Sequence, residues 1–154
     1  MQGGEPLEDV PAGPVESDGL LASGTWQAST VRQEKVDLPG GLQAPQHARR
    51  AIEEHFGTSL DAPMLASVEL LTTELVSNAV RHGGAGDDQL VVLHLALAPE
   101  CLRVEVCDPG DGFTAGPPQP YGEGGYGLFL VSEVSSRWGV ARERANVTWF
   151  EMDI

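Results

Sequence analysis

The sequence is poor in positive charge. Its 154 residues hold nine Lys and Arg against 23 Asp and Glu, a formal charge of −14, and Lys35 is the only lysine. Such a chain lacks the basic face that non-specific nucleic-acid binding needs, and it has little to offer an anionic membrane surface. Long apolar runs are missing as well: no stretch approaches the ~18 residues of a membrane-spanning helix. The N-terminal stretch is acidic and rich in Gly and Pro, unlike a signal or transit peptide, so a cytoplasmic location is expected.

Cysteine is scarce. Cys101 and Cys107 are the only two, and both fall in one expected strand. Six residues of strand span roughly 20 Å, whereas a disulfide needs Cα atoms within about 7 Å. The pair cannot bridge within that strand, and no His or Cys stands at metal-ligand spacing from it. Both are expected to be small apolar residues in a reducing compartment.

What is present suffices for one domain with a sizeable core: 41% of the residues are hydrophobic. Residues 1–29 are expected to form a disordered acidic tail, carrying Glu5, Glu8, Asp9, Glu16 and Asp18, three prolines and no basic residue up to position 24. The domain proper is expected over 30–154. Residues 30–38 read as a strand ended by Pro39-Gly40-Gly41. Residues 45–56 read as a helix with Pro45 at its start and Gly57 at its end, bearing His47 on its surface. Asp61 is the expected N-cap of a longer helix over 62–82, with Pro63 in its first turn and Gly83-Gly84 at its end. Residues 90–98 and 101–107 form an expected hairpin across Pro99-Glu100. The Gly- and Pro-rich loop 109–125 has a length that marks functional or disordered segments. A short helix over 126–136 and strands over 138–144 and 147–153 complete the chain.

Three features carry chemistry. On the helix 62–82, Met64, Val68, Leu71, Leu75 and Ala79 make an apolar stripe, and Glu69 and Thr73 are expected to face solvent. Glu74, Asn78 and Arg81 line one flank, with Glu74 and Asn78 stacked at i, i+4. This pair is either a helix-surface hydrogen-bonded couple or a Mg²⁺ site, in which the amide oxygen is a hard ligand and the carboxylate one turn earlier accepts a proton. In the strand 101–107, Leu102, Val104 and Val106 share the inward face and Asp108 continues their parity. A carboxylate in that register needs a donor. It either caps the following turn or accepts from an adenine amine. Lastly, Gly110 and Gly112 let backbone approach a flat base, and Gly124, Gly125 and Gly127 precede a helix whose N–H groups suit phosphates. Flexible linkers look similar.

The order of these parts is more specific than any one of them. ELVSN on a helix ending in RHG, DPGDG after a strand and GGYGLFLV opening a helix resemble the N, G1 and G2 boxes of the histidine-kinase-like (GHKL, Bergerat-fold) ATP-binding superfamily. LLTTELVSNAVRHGG, the closing SSRWGV and the terminal WFEM resemble the stand-alone anti-sigma-factor serine/threonine kinases of bacteria. The likeness covers about residues 30–153. It implies an α+β two-layer sandwich, a mixed, mainly antiparallel sheet covered on one face by about three helices.

The resemblance also implies roles. Glu74 is the general base and Asn78 the Mg²⁺ ligand. Asp108 contacts the adenine amine, and Gly110 and Gly112 shape the base pocket. Gly125 and Gly127 hinge the lid and approach the phosphates, with Leu128 next to them among the nucleotide-binding residues. Arg81 and His82 are phosphate-side neighbours, although His82 returns to the apolar stripe and could close the core. The implied reaction moves the γ-phosphoryl group of ATP to a serine of an anti-anti-sigma (STAS-type) protein. The same domain sequesters a sigma factor, and a homodimer is common among such proteins. A nucleotide-gated binding module without appreciable kinase activity is the alternative. Two departures bear on this choice. The family's last strand carries Gly-x-Thr with the Thr two residues before an aromatic. Counted from Trp149 that slot is Val147, so Thr148 is expected on the opposite face, and Ala145-Asn146 replaces the glycine. The lid, moreover, carries Glu123 and no lysine.

Overall fold

The computed structural model describes residues 31–82, 86, 88–108, 126–142 and 146–154. The expected tail over 1–29 and the loop 109–125 lie outside the described residues. The elements run β1 (Arg32–Pro39), α1 (Ala44–Phe56), α2 (Ala62–His82), β2 (Leu90–Leu97), β3 (Cys101–Asp108), α3 (Tyr126–Val134), β4 (Arg137–Arg142) and β5 (Asn146–Asp153).

The helices begin where the local chemistry dictates. Pro45 stands in the first turn of α1, where its missing N–H costs nothing. The Asp61 Oδ1 accepts the Met64 N–H at 2.8 Å, the N-cap bond that satisfies an orphan donor of α2. Along α1, Ala48, Ala51, Ile52 and Phe56 are buried, and along α2, Val68, Leu71, Leu75, Val76 and Ala79. They share one core with Leu38, Val91, Leu93, Leu95, Leu102, Val104, Val106 and Phe150 of the sheet. Each Val, Leu, Ile or Phe among them contributes about 1.5–3 kcal/mol when fully buried. The three helices thus lie on one face of the sheet, giving the two-layer α+β sandwich.

Strand order is β1-β2-β3-β5-β4, and all four pairings are antiparallel. The sheet is therefore wholly antiparallel among the described residues rather than mixed. β3 and β4 do run parallel, but β5 is inserted between them and pairs antiparallel with both.

α2 departs from its helical-wheel reading. Glu69 and Thr73 are half-buried rather than solvent-facing. α1 packs along α2, bringing the Arg49 Nε to 3.8 Å from the Glu69 Oε2, and the Thr73 hydroxyl donates to the Glu69 carbonyl at 2.7 Å. A wheel computed from one helix sees the side facing the sheet but not the side covered by a neighbouring helix. His47 on α1 is likewise half-buried rather than on the surface, with Nδ1 shielded.

The far face of the sheet carries charge. The Arg103 guanidinium donates to Glu105 at 2.7 Å and to Glu151 at 2.8 Å and lies 4.0 Å from the Trp149 ring centroid. Arg137 donates to Glu151 at 2.7 Å and to Asp153 at 2.5 Å. Gly139 sits opposite Trp149 in the ladder, and a Cβ there would lie 2.7 Å from Trp149 Cζ2. The indole therefore rests on bare backbone with the guanidinium over its ring.

Two expectations follow. Gly139→Ala forces the indole off its seat and is expected to cost about 1–3 kcal/mol, the usual price of overpacking, read as a lower urea midpoint with unchanged slope. Burial pushes the Cys107 thiol up to about 12, and burial also raises the Cys101 thiol. The thiolate is the nucleophile, so neither residue should be alkylated appreciably by iodoacetamide at pH 7 unless the protein is unfolded, as mass spectrometry of the intact chain would report.

Candidate functional site

The expected site residues fall at two places. The first is the flank of α2, where Glu74 and Asn78 are half-buried and directly precede the core residues Leu75 and Ala79. Gly127, the second residue of α3, is pressed against this pair. A Cβ at that position would lie 2.9 Å from the Glu74 Oε2 and 3.3 Å from the Asn78 Nδ2. Any larger residue would have to push the carboxylate and amide aside, so glycine is what admits the first turn of α3 to this spot. Backbone N–H groups of a first helical turn have no partner within the helix, and here that turn stands beside an acid and an amide. Leu128 turns its side chain the other way and is 2% exposed in the core, near Val131. It anchors α3, leaving its backbone for any contact with a ligand.

Arg81 and His82 are exposed at the C-terminal end of α2, where positive charge complements the helix dipole. His82 does not close the core. Gly110, Gly112 and Gly125 lie outside the described residues.

The second place is the end of β3. Asp108 is 8% exposed and continues the helix-facing register of Leu102, Val104 and Val106, as its parity requires. Its donor on the protein is one the sequence reading missed. Asn146 lies directly opposite in the ladder and its Nδ2 donates to the Asp108 Oδ1 at 3.1 Å. One pair further along the same face, Thr148 opposes Val106 and is half-buried. The register corrects the expectation that Thr148 turns to the opposite face. That expectation counted back from Trp149, whereas the aromatic that enters the core is Phe150, at 0% exposure. Thr148 stands two residues before Phe150, and Asn146 then occupies the position where the family usually has glycine. Trp149 belongs to the far face, with Arg103.

No group of three or more His, Cys, Asp or Glu side chains gathers among the described residues. The side chains beside Gly127 are one carboxylate and one amide. That sparse, hard set fits Mg²⁺ shared with substrate phosphates, since Mg²⁺ retains water and takes only one or two protein ligands in such sites. No helix among the described residues is long and apolar enough to cross a membrane.

Comparison with known proteins agrees with this geometry. The family described as the histidine kinase-like ATPase domain matches residues 41–152. Among solved structures, that of the RsbU and RsbW domains of Rv1364c from Mycobacterium tuberculosis is similar, with a TM-score of 0.61 and 21% identity over 79% of this chain. The match spans 32% of that longer chain, and at this identity it speaks for the fold. No protein of curated function matches. The family match runs over most of the sequence, through α2, β3, α3 and β5, and this chain belongs to the histidine kinase-like ATPase domain family.

Proposed function

We propose that this domain binds Mg-ATP and works in the cytoplasm as a serine/threonine protein kinase of the anti-sigma-factor type. The observation that carries the reading is the seating of Gly127 against Glu74 and Asn78, which brings a helix start, a carboxylate and an amide group together. The order of the three sequence motifs supports it, as does a fold shared with a chain that contains RsbU and RsbW domains.

Asn78 would hold Mg²⁺, which when bound neutralises charge on the phosphates. Glu74 takes the proton from the attacking serine hydroxyl. Backbone N–H groups at the start of α3, at Gly127 and Leu128, face the phosphates, with Gly125 ahead of them and Arg81 and His82 as neighbours. Asp108 accepts the exocyclic amine of adenine, between Gly110 and Gly112 of the following loop. Guanine offers a carbonyl at that position, and two acceptors facing each other repel. The phosphoryl acceptor is a serine of a STAS-type antagonist. Its phosphorylation leaves the domain to sequester a sigma factor, in a homodimer as in similar proteins.

Incubation of the purified chain with Mg-ATP and the STAS-type proteins of its own genome tests this. Glu74→Ala should abolish transfer while keeping ATP affinity within about threefold, because a general base contributes to chemistry rather than binding. Asn78→Ala and Asp108→Asn should each weaken Mg-ATP binding roughly 10- to 100-fold, the loss expected for a bond to a charged group. Tight ATP binding with no transfer to any such protein would leave a nucleotide-gated binding module in place of the kinase. Unchanged calorimetric titrations in the Asn78 and Asp108 variants would remove the site assignment.

Gly127→Ala gives a separate check. The new methyl group meets Glu74 Oε2 at 2.9 Å, so Mg-ATP affinity should fall at least as far as in Asn78→Ala, with the circular dichroism spectrum preserved. An alanine variant that binds like the parent would show that α3 does not need its close approach.

A further inference from the structure

Asn146 has no counterpart in the family pattern, which usually places glycine there. We propose that Asn146 is a positioning residue that sets base specificity: its amide pins the Asp108 carboxylate in the orientation that accepts adenine and rejects guanine. The inference rests on the ATP-binding reading above and deepens it.

The geometry is specific. Asp108 and Asn146 are directly opposed across β3 and β5, so the ladder fixes their Cα separation. Both are nearly buried, at 8% and 7% exposure, so neither polar group can rely on bulk water. The Asn146 Nδ2 to Asp108 Oδ1 bond is 3.1 Å. Its polarity is forced, because the alternative amide orientation would set a carbonyl oxygen against a carboxylate. The last torsion of an aspartate is broad and roughly twofold; a donor on Oδ1 restrains it. A carboxylate has about four lone-pair positions, so a bond from Asn146 is compatible with a second donor such as an adenine amine. A glycine at residue 146 would remove this donor and one restraint on the carboxylate's rotation away from an unfavourable guanine carbonyl. With Asn146 in place such a rotation also breaks the Asn146 bond, which adds to the penalty against guanine.

A purely structural role for Asn146 would alter stability and leave base preference alone, which defines the test. The full chain and its Asn146→Ala, Asn146→Gly and Asn146→Asp variants are titrated calorimetrically with Mg-ATP and Mg-GTP, and their melting temperatures recorded. Asn146→Ala and Asn146→Gly should raise the Kd for ATP about 5- to 30-fold, less than the loss of a direct bond to a charged group because Asn146 acts through Asp108, and shrink the ATP-to-GTP preference about tenfold. Asn146→Asp, of the same size but without the donor, should weaken ATP binding further than alanine does. An ATP-to-GTP ratio unchanged in folded variants overturns the proposal while leaving ATP binding intact. Failure of the parent chain to bind either nucleotide overturns the proposed function itself, before any substitution is made. Should the alanine variant not fold, the glycine variant carries the comparison, and loss of folding in both assigns Asn146 to stability and ends the proposal.

Discussion

The arrangement turns on a tight contact, the backbone of Gly127 against the Glu74 carboxylate and the Asn78 amide, where an added methyl group would displace the carboxylate. What holds that contact is the hydrophobic core rather than the polar groups. Leu75 and Ala79 follow Glu74 and Asn78 by one residue, Leu128 follows Gly127 by one, and all three are buried in the same cluster. One step along a helix turns the chain by about 100°, enough to set a polar side chain on the shoulder of a buried one. The packing that stabilises α2 and α3 therefore also places the acid, the amide and the helix start together. A site built this way is as rigid as the core behind it, which suits chemistry that consists mainly of positioning.

The other half of the site depends on register. β5 lies between β3 and β4 and presents Asn146, Thr148, Phe150 and Met152 to the helices, with Trp149 and Glu151 on the reverse. Slipping β5 by one residue would put Trp149 into the core and turn Asn146 and Thr148 away from Asp108. Both faces oppose such a slip. Phe150 is locked in the core, while Glu151 is held by Arg103 and Arg137 and Trp149 lies between the guanidinium and Gly139. A buried carboxylate stripped of its guanidinium partner is strongly unfavourable, at about 3–5 kcal/mol for breaking such a pair. The far-face network thus acts on the Asp108 side without touching it, by fixing which β5 residues face Asp108.

Much of this was legible in the sequence, for identifiable reasons. Helix starts were readable because Pro45 and Asp61 have a single favourable position near a helix N-terminus. The burial of Asp108 followed from the alternation of Leu102, Val104 and Val106, where period two is unbroken. The register of β5 was not readable, because Trp149 and Phe150 are consecutive aromatics and either could enter a core. Only pairing with β3 and β4 decides between them, and the β3 partners of β5 run from Asp108↔Asn146 to Cys101↔Asp153, far apart in sequence. The partner of Asp108 was hidden for the same reason: nothing local marks Asn146 as lying opposite residue 108. Glu69 was misjudged because burial between α1 and α2 arises from two helices meeting, which neither periodicity contains.

The scarcity of positive charge then acquires a mechanistic meaning. Of the arginines whose contacts are described, Arg103 and Arg137 are committed to carboxylates on the far face, Arg32 reaches the His55 carbonyl, and Arg49 lies beside Glu69. Arg81, one turn beyond Asn78 on α2 and exposed, is the described arginine nearest in sequence to the proposed phosphate end. A chain of formal charge −14 repels a free polyanion at a distance, with a reach of about 8 Å at physiological ionic strength. Such a field penalises a bare nucleotide more than its magnesium complex, which carries two fewer negative charges. Selectivity for the metal-bound form would thus come partly from the electrostatics of the whole chain, and only partly from the single amide at residue 78. In the proposed function, that division of labour would let so sparse a set of ligands suffice.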